Sequence, residues 1–76
     1  MDEGYILSNK FRKIIFSSIH AGDSNIENIA KKHHIIVNVA RKIIKDFEVQ
    51  GVIEFKDNRY VLTSDGEKLA EVIKDS

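Results

Sequence analysis

Four side chains that can contact nucleic acid recur at intervals of three and four residues. They are Asn38, Arg41, Lys42 and Lys45. On a helix, this spacing places all four on one face. An asparagine amide can pair with adenine and an arginine guanidinium with guanine, each through two hydrogen bonds, whereas lysine holds phosphates. No acidic residue lies between positions 38 and 45, although an ordinary solvent-facing helix surface mixes both signs of charge. The pattern therefore favours a nucleic-acid contact over a merely solvated face.

A second pair of cations, Lys56 and Arg59, flanks the dipeptide Asp57-Asn58. Because Asp and Asn tolerate positive φ, this dipeptide predicts a two-residue hairpin turn with the cations beside its tip. The pair could reach a phosphate or the minor groove, or it could protect a short strand edge from pairing. The sequence leaves both interpretations open. The cations nearer the N-terminus are more typical of a solubilised helix than of a DNA-backbone contact; they are Lys10, Arg12 and Lys13.

The histidines predict a turn and not a metal site. His33 and His34 are adjacent, so their side chains diverge, and no carboxylate stands at ligand spacing. The chain has no cysteine. It also has neither a glycine-flanked nucleophile nor a glycine-rich phosphate loop. We therefore expect no metal, no cofactor and no enzymatic activity.

Charge is distributed unevenly along the 76 residues. Residues 10–45 hold eight basic and two acidic side chains, a net charge of +6, whereas residues 46–76 hold four and eight, a net charge of −4. This segregation predicts a one-sided molecule whose basic side can face a polyanion, although chance could also produce it. The length predicts a single domain, 1–76. Since no signal peptide and no membrane-spanning run is evident, we expect a cytoplasmic protein.

Apolar periodicity and capping residues predict the elements that position these groups. The expected helices cover residues 8–21, about nine residues from Ser24 or Asn25, residues 36–50 and residues 64–74. The expected strands cover residues 52–56 and 59–62. Ser8 and Thr63 are predicted N-caps, and Gly22 and Gly51 are predicted to end helices. The fold class is mainly α with a small β-hairpin: a three-helix core, a two-stranded wing over residues 52–62 and a C-terminal helix.

The helix predicted over residues 36–50 separates an apolar side from a cationic side. Steps of about 100° per residue bring five apolar side chains into one arc. They are Ile36, Ala40, Ile43, Ile44 and Phe47. We expect this arc to face the interior, which leaves Arg41, Lys42 and Lys45 free on the opposite side.

The order helix, helix, helix, hairpin, helix resembles that of small archaeal and bacterial winged helix-turn-helix regulators of the broad MarR, ArsR and PadR group. Three stretches carry the resemblance, which covers about residues 8–75; they are residues 26–30, 44–53 and 60–66. His34 departs from the family pattern, which usually has glycine in that turn, and Ile36 stands where a small polar cap is usual.

The resemblance implies a DNA-binding transcriptional regulator that inserts helix 36–50 into the major groove as its recognition helix. The implied DNA contacts are Asn38, Arg41, Lys42, Lys45 and Val37 from this helix and Lys56 and Arg59 from the wing. The expected partner is double-stranded DNA. Any homodimer is expected to form through Tyr5–Leu7 and the C-terminal helix.

Two alternatives stay open. A winged helix that binds protein, as an interaction module or as a subunit of a larger assembly, fits the zero net charge and the apolar residues Ile36, Val37 and Val39. RNA is a weaker candidate, because the sequence shows no evident exposed aromatic platform on which bases could stack.

Overall fold

The order of secondary-structure elements is seen in a computed structural model, which describes residues 2–74. The helices are α1 (Glu3–Leu7), α2 (Lys10–His20), α3 (Ile26–Lys32), α4 (Val37–Val49) and α5 (Ser64–Lys74). Strands β1 (Ile53–Lys56) and β2 (Arg59–Leu62) form an antiparallel hairpin between α4 and α5. The mainly α fold with a small hairpin and a C-terminal helix is therefore confirmed, and the order is compatible with a winged helix. None of the helices within residues 2–74 combines the length and the apolar character that a bilayer crossing requires.

The N-terminal segment contains a helix that the sequence did not predict. Residues Glu3–Leu7 form α1, and Oδ1 of Asp2 caps it by accepting the backbone N–H of Tyr5 at 3.0 Å. Ile6 is completely buried. Because a helix this short is unstable in isolation, it depends on packing against its neighbours, which local sequence patterns do not report.

Asparagine caps two of the helices. Oδ1 of Asn9 accepts the backbone N–H groups of the first two residues after Lys10, at 2.9 and 3.1 Å, and so starts α2. The prediction that Ser8 caps this helix is wrong, since Ser8 instead ends α1. At the start of α3, Asn25 rather than Ser24 is the cap, and its Oδ1 accepts the N–H of Asn28 at 2.9 Å.

Helices α2, α3 and α4 end in the same way. The residue after each C-cap has a left-handed backbone conformation: Gly22 (φ 97°), His34 (φ 56°) and Gly51 (φ 78°). The next N–H then donates to the carbonyl five residues back, at 2.9, 2.8 and 3.1 Å respectively, which is the Schellman motif. Both glycine ends confirm the prediction, and His34 is the exception among the three.

The buried side of α4 supplies much of the core. Ala40, Ile43, Ile44 and Phe47 are buried, as the helical arc predicted. Phe47 meets the buried Phe16 of α2 edge to face, with ring centroids 5.8 Å apart, an arrangement that aromatic pairs prefer. The cationic side of α4 consequently points away from the core.

Ile36 does not belong to this arc, contrary to the prediction. Its side chain is 73% exposed. The residue is the N-cap of α4, with an extended backbone (φ −61°, ψ 127°), so helical spacing does not apply to it. Ile35 is buried in its place.

The hairpin is fixed to α5 at Thr63. The backbone N–H of Thr63 donates to the Val52 carbonyl at 3.1 Å. Its hydroxyl donates to the Gly51 carbonyl at 2.6 Å and accepts the N–H of Gly66 at 3.1 Å, which confirms Thr63 as the cap of α5. A Cβ at Gly66 would collide with the Val52 carbonyl oxygen. The end of α4, the base of the hairpin and the start of α5 thus meet in direct backbone contact.

Candidate nucleic-acid interface

The exposed face of α4 carries the four residues singled out by their spacing. Asn38, Arg41, Lys42 and Lys45 are all exposed, and they lie opposite the buried arc that ends at Phe47. We call these four residues the cationic face. Because it projects from a helix anchored by its other side, it can approach a polyanion without any rearrangement of the core.

Helix α3 supplies an acid to this face. Nη2 of Arg41 donates to Oε1 of Glu27 at 3.1 Å, and both side chains are more than half exposed. The prediction from sequence considered only acidic residues between positions 38 and 45. It therefore missed Glu27, which reaches the cationic face from another helix. Exposed pairs of this kind typically contribute about 0.2–1 kcal/mol. Within residues 2–74, neither Lys42 nor Lys45 forms a salt bridge.

The first turn of α4 is apolar at the surface. Ile36 and Val39 are exposed beside Asn38, whereas Val37 is half-buried and packs against the core. The structure thus separates Val37 from the other implied DNA contacts on this helix. No side chain caps the start of α4, because Ile36 has no hydrogen-bonding atom in its side chain.

Lys56 and Arg59 oppose each other at the tip of the hairpin. They are directly paired in the antiparallel register, and both are exposed. Asp57 (φ 54°) and Asn58 (φ 64°) form the predicted two-residue turn with positive φ at both positions. Like charges directly opposite each other destabilise a strand pair. An anion bound between them would relieve this repulsion.

The hairpin also carries an aromatic pair that the sequence interpretation missed. Phe55 is 56% exposed, and its ring meets that of Tyr60 with centroids 4.9 Å apart and an interplanar angle of 63°. Phe55 is therefore an exposed aromatic side chain that the sequence did not make evident. Strand alternation could have indicated the pair, since Phe55 lies on the same side as the buried Ile53 but nearer the tip.

The side chain of Tyr60, in β2, lies on the side of the hairpin that faces α4. Burial raises its pKa above the usual 10.0, the negative charge of Glu48 raises it further, and the positive charge of Arg41 partly opposes both. The phenol therefore stays neutral and able to donate a hydrogen bond at physiological pH. An open groove of about 410 Å³ runs beside it, lined in part by Ile26, Arg41 and Lys45.

Arg12 and the histidines lie outside the cationic face. Arg12 covers the Tyr5 ring at 3.9 Å and donates to the Tyr5 carbonyl at 3.2 Å, so it holds α1 against α2. Nε2 of His20 lies 3.9 Å from Oε2 of Glu67. His33 and His34 form the turn between α3 and α4. In the part of the chain described by the structure, no three histidine, cysteine or carboxylate side chains come together as a metal site would require.

The residues expected to form a dimer contact differ in exposure. Ile6 is buried within the protomer, whereas Leu7 of α1 and Val72 of α5 are partly exposed. A self-contact at this surface would therefore involve Leu7 more than Ile6.

Comparison with known proteins gives no family for the chain. No protein-family model matches the sequence, and a search of curated proteins finds no significant match.

Proposed function

We propose that this protein is a DNA-binding transcriptional regulator that places α4 in the major groove of a duplex and rests its hairpin on the neighbouring backbone. The observation that carries the proposal is the cationic face, exposed on a helix whose opposite side is locked into the core. The order of elements, which resembles that of the small winged helix-turn-helix regulators, supports it.

The residues of the interface divide into two roles. Asn38 and Arg41 have the amide and guanidinium groups that read adenine and guanine in the major groove. Lys42 and Lys45, together with the wing pair Lys56 and Arg59, contribute phosphate contacts that give affinity without sequence information. A single domain of this size buries on the order of 600–1,000 Å² of protein surface on DNA.

A salt titration tests this function. Binding of a labelled duplex, followed by fluorescence anisotropy, should weaken with salt at a log–log slope of about −3 to −5, from about 0.9 per neutralised phosphate. The double variant Lys42→Ala/Lys45→Ala, which removes two of the phosphate contacts, should reduce the slope by about 1–2. The matched control is Lys10→Ala/Lys68→Ala, which removes two exposed cations from α2 and α5 and should leave the slope almost unchanged. Absence of binding at low salt, or equal effects of the two double variants, would contradict the proposal.

A second candidate function is protein binding. The apolar surface at the start of α4, where Ile36 is 73% exposed beside Val39, favours it, because contiguous apolar patches at a surface often mark a protein contact. The same titration separates the candidates, since a protein-binding module has no reason to bind duplex DNA at low salt with a steep salt dependence.

We also propose that any homodimer uses the Tyr5–Leu7 segment and α5, through the exposed parts of Leu7 and Val72. A symmetric pair would read two half-sites about one turn of the duplex apart. Sedimentation equilibrium of the protein and of the Leu7→Ser variant tests this arrangement. A monomer at every concentration would contradict it.

A further inference from the structure

A slot separates the hairpin from the start of α3. Its volume is about 190 Å³. Phe55, Asn58 and Tyr60 line the slot from the hairpin. Residues 24–27 line it from the start of α3 and the turn before it, and Arg41 of α4 completes its lining. Ligand sites for larger molecules usually enclose about 300–1,000 Å³, so this slot suits one small planar group rather than a whole cofactor.

The aromatic wall is suited to stacking. Phe55 and Tyr60 are directly paired across the hairpin, and their edge-to-face contact restrains both rings. More than half of Phe55 is nevertheless exposed, so this side chain does more than fill the core. Every nucleobase has a flat π-face, and an aromatic side chain binds such a face without regard to base identity.

The opposite wall is mostly polar. Ser24, Asn25 and Glu27 lie there beside the apolar Ile26, whereas Asn58 adds an amide from the tip of the hairpin. Oδ1 of Asn25 caps α3, which leaves its NH2 group able to donate. A flat ligand with donors and acceptors on its edge, as a base has, matches one aromatic wall and one polar wall.

Arg41 connects the slot to the cationic face. It lines this slot and also the larger groove beside Lys45. A strand whose phosphates follow the cationic face would therefore pass next to the slot. Within the slot Arg41 is paired with Glu27, so attraction for a nucleic-acid strand comes from Lys42 and Lys45 of the cationic face.

We propose that the slot receives one unpaired nucleobase of a DNA strand whose phosphates lie on the cationic face. This inference rests on the proposed function, and it adds that the protein prefers a duplex that continues into a single-stranded tail. The unpaired base stacks on Phe55 and presents its edge to the polar wall. A base within an intact duplex is already stacked on its neighbours and does not enter.

Three DNA probes test the slot with the whole chain: a blunt duplex, the same duplex with a short tail that contains 2-aminopurine, and the tail alone. We expect the tailed duplex to bind about fivefold to a hundredfold more tightly than the blunt one, as one base stacked on an aromatic side chain would produce. The fluorescence of 2-aminopurine, which falls on stacking, should decrease on binding.

Two substitutions of the same residue assign the effect. Phe55→Leu keeps an apolar side chain and should abolish both the preference for the tail and the quenching, while affinity for the blunt duplex is retained. Phe55→Tyr keeps the aromatic ring and should retain both effects. Circular dichroism checks that each variant is folded, and the quenching by the unaltered protein tests the slot even if a variant does not fold.

The outcomes separate this inference from the proposed function. Equal affinity for blunt and tailed duplexes, with no quenching, would overturn the slot and leave the duplex-binding regulator in place. Phe55-dependent binding of the tail alone, without binding of the blunt duplex, would support the slot and overturn the regulator. Absence of binding to all three probes would overturn both.

Discussion

Nη2 of Arg41 in α4 lies 3.1 Å from Oε1 of Glu27 in α3. Arg41 is the side chain of α4 best suited to read guanine, and α3 therefore holds it in position. The same carboxylate places a negative charge beside the proposed path of the phosphates. Glu27→Gln keeps an oxygen that can accept from Arg41 and removes the charge. We expect the variant to bind duplex DNA up to about fivefold more tightly at low salt, in keeping with the range of about 0.2–1 kcal/mol for exposed charge pairs.

The control for this prediction is Glu71→Gln on α5, which changes the net charge equally at another exposed position. Anisotropy titrations at two salt concentrations measure both variants, and the gain for Glu27→Gln should shrink as salt screens the charge. An equal gain for both variants would mean that only net charge matters.

His34 adopts a left-handed conformation (φ 56°) at the end of α3, where the corresponding residues of α2 and α4 are glycines. This conformation costs a residue with a Cβ about 1–2 kcal/mol, whereas glycine loses about 0.5–1 kcal/mol through the entropy of its unfolded chain. We therefore expect His34→Gly to raise the free energy of unfolding by about 0.5–1 kcal/mol in urea titrations. The control, His33→Gly, alters a residue with φ −105° and should lower it. A loss of stability in His34→Gly would assign the imidazole a stabilising contact.

The hydroxyl of Thr63 joins two elements, since it donates to Gly51 and accepts from Gly66. Thr63→Val retains the shape of the side chain but leaves both groups without this partner. We expect a loss of about 1–2 kcal/mol, which lowers the Tm by roughly 4–8 °C per kcal/mol in a domain of this size. Thr63→Ser preserves the hydroxyl and should lose much less. Similar Tm values for the two variants would contradict a stabilising role for the hydroxyl.

Tyr60 makes stability depend on alkaline pH. Because the folded protein raises the pKa of this phenol above 10.0, the unfolded chain releases the proton first as pH rises. The corresponding stabilisation is complete below pH 10.0 and is lost as pH rises through the folded-state value. We expect the free energy of unfolding of the unaltered protein to fall, relative to Tyr60→Phe, between neutral pH and a pH above 10.0. A constant difference between the two proteins would contradict the shift.

Regular patterns made α4 and the hairpin predictable. The apolar arc from Ala40 to Phe47 repeats at helical spacing, and Gly51 supplies the conformation that ends the helix. The two-residue turn at Asp57-Asn58 follows from residue types that accept positive φ. These are local properties, and the sequence reports them directly.

The features that the sequence did not predict depend on tertiary contacts. Helix α1 exists because Ile6 is buried against other helices, and Glu27 reaches Arg41 across 14 positions of sequence. Ile36 is exposed because the helix begins one residue later than its apolar pattern does. The exposure of Phe55 depends on how far the hairpin extends past the core. A periodic pattern along the sequence carries no information about these distances between elements in space.

The close approach of Gly66 to the Val52 carbonyl has a mechanical consequence. No side chain lies between them, and Thr63 is hydrogen-bonded to the carbonyls of Gly51 and Val52 and to the N–H of Gly66. Moving the root of the hairpin relative to the first turn of the last helix would strain these three hydrogen bonds at once, so this junction resists bending.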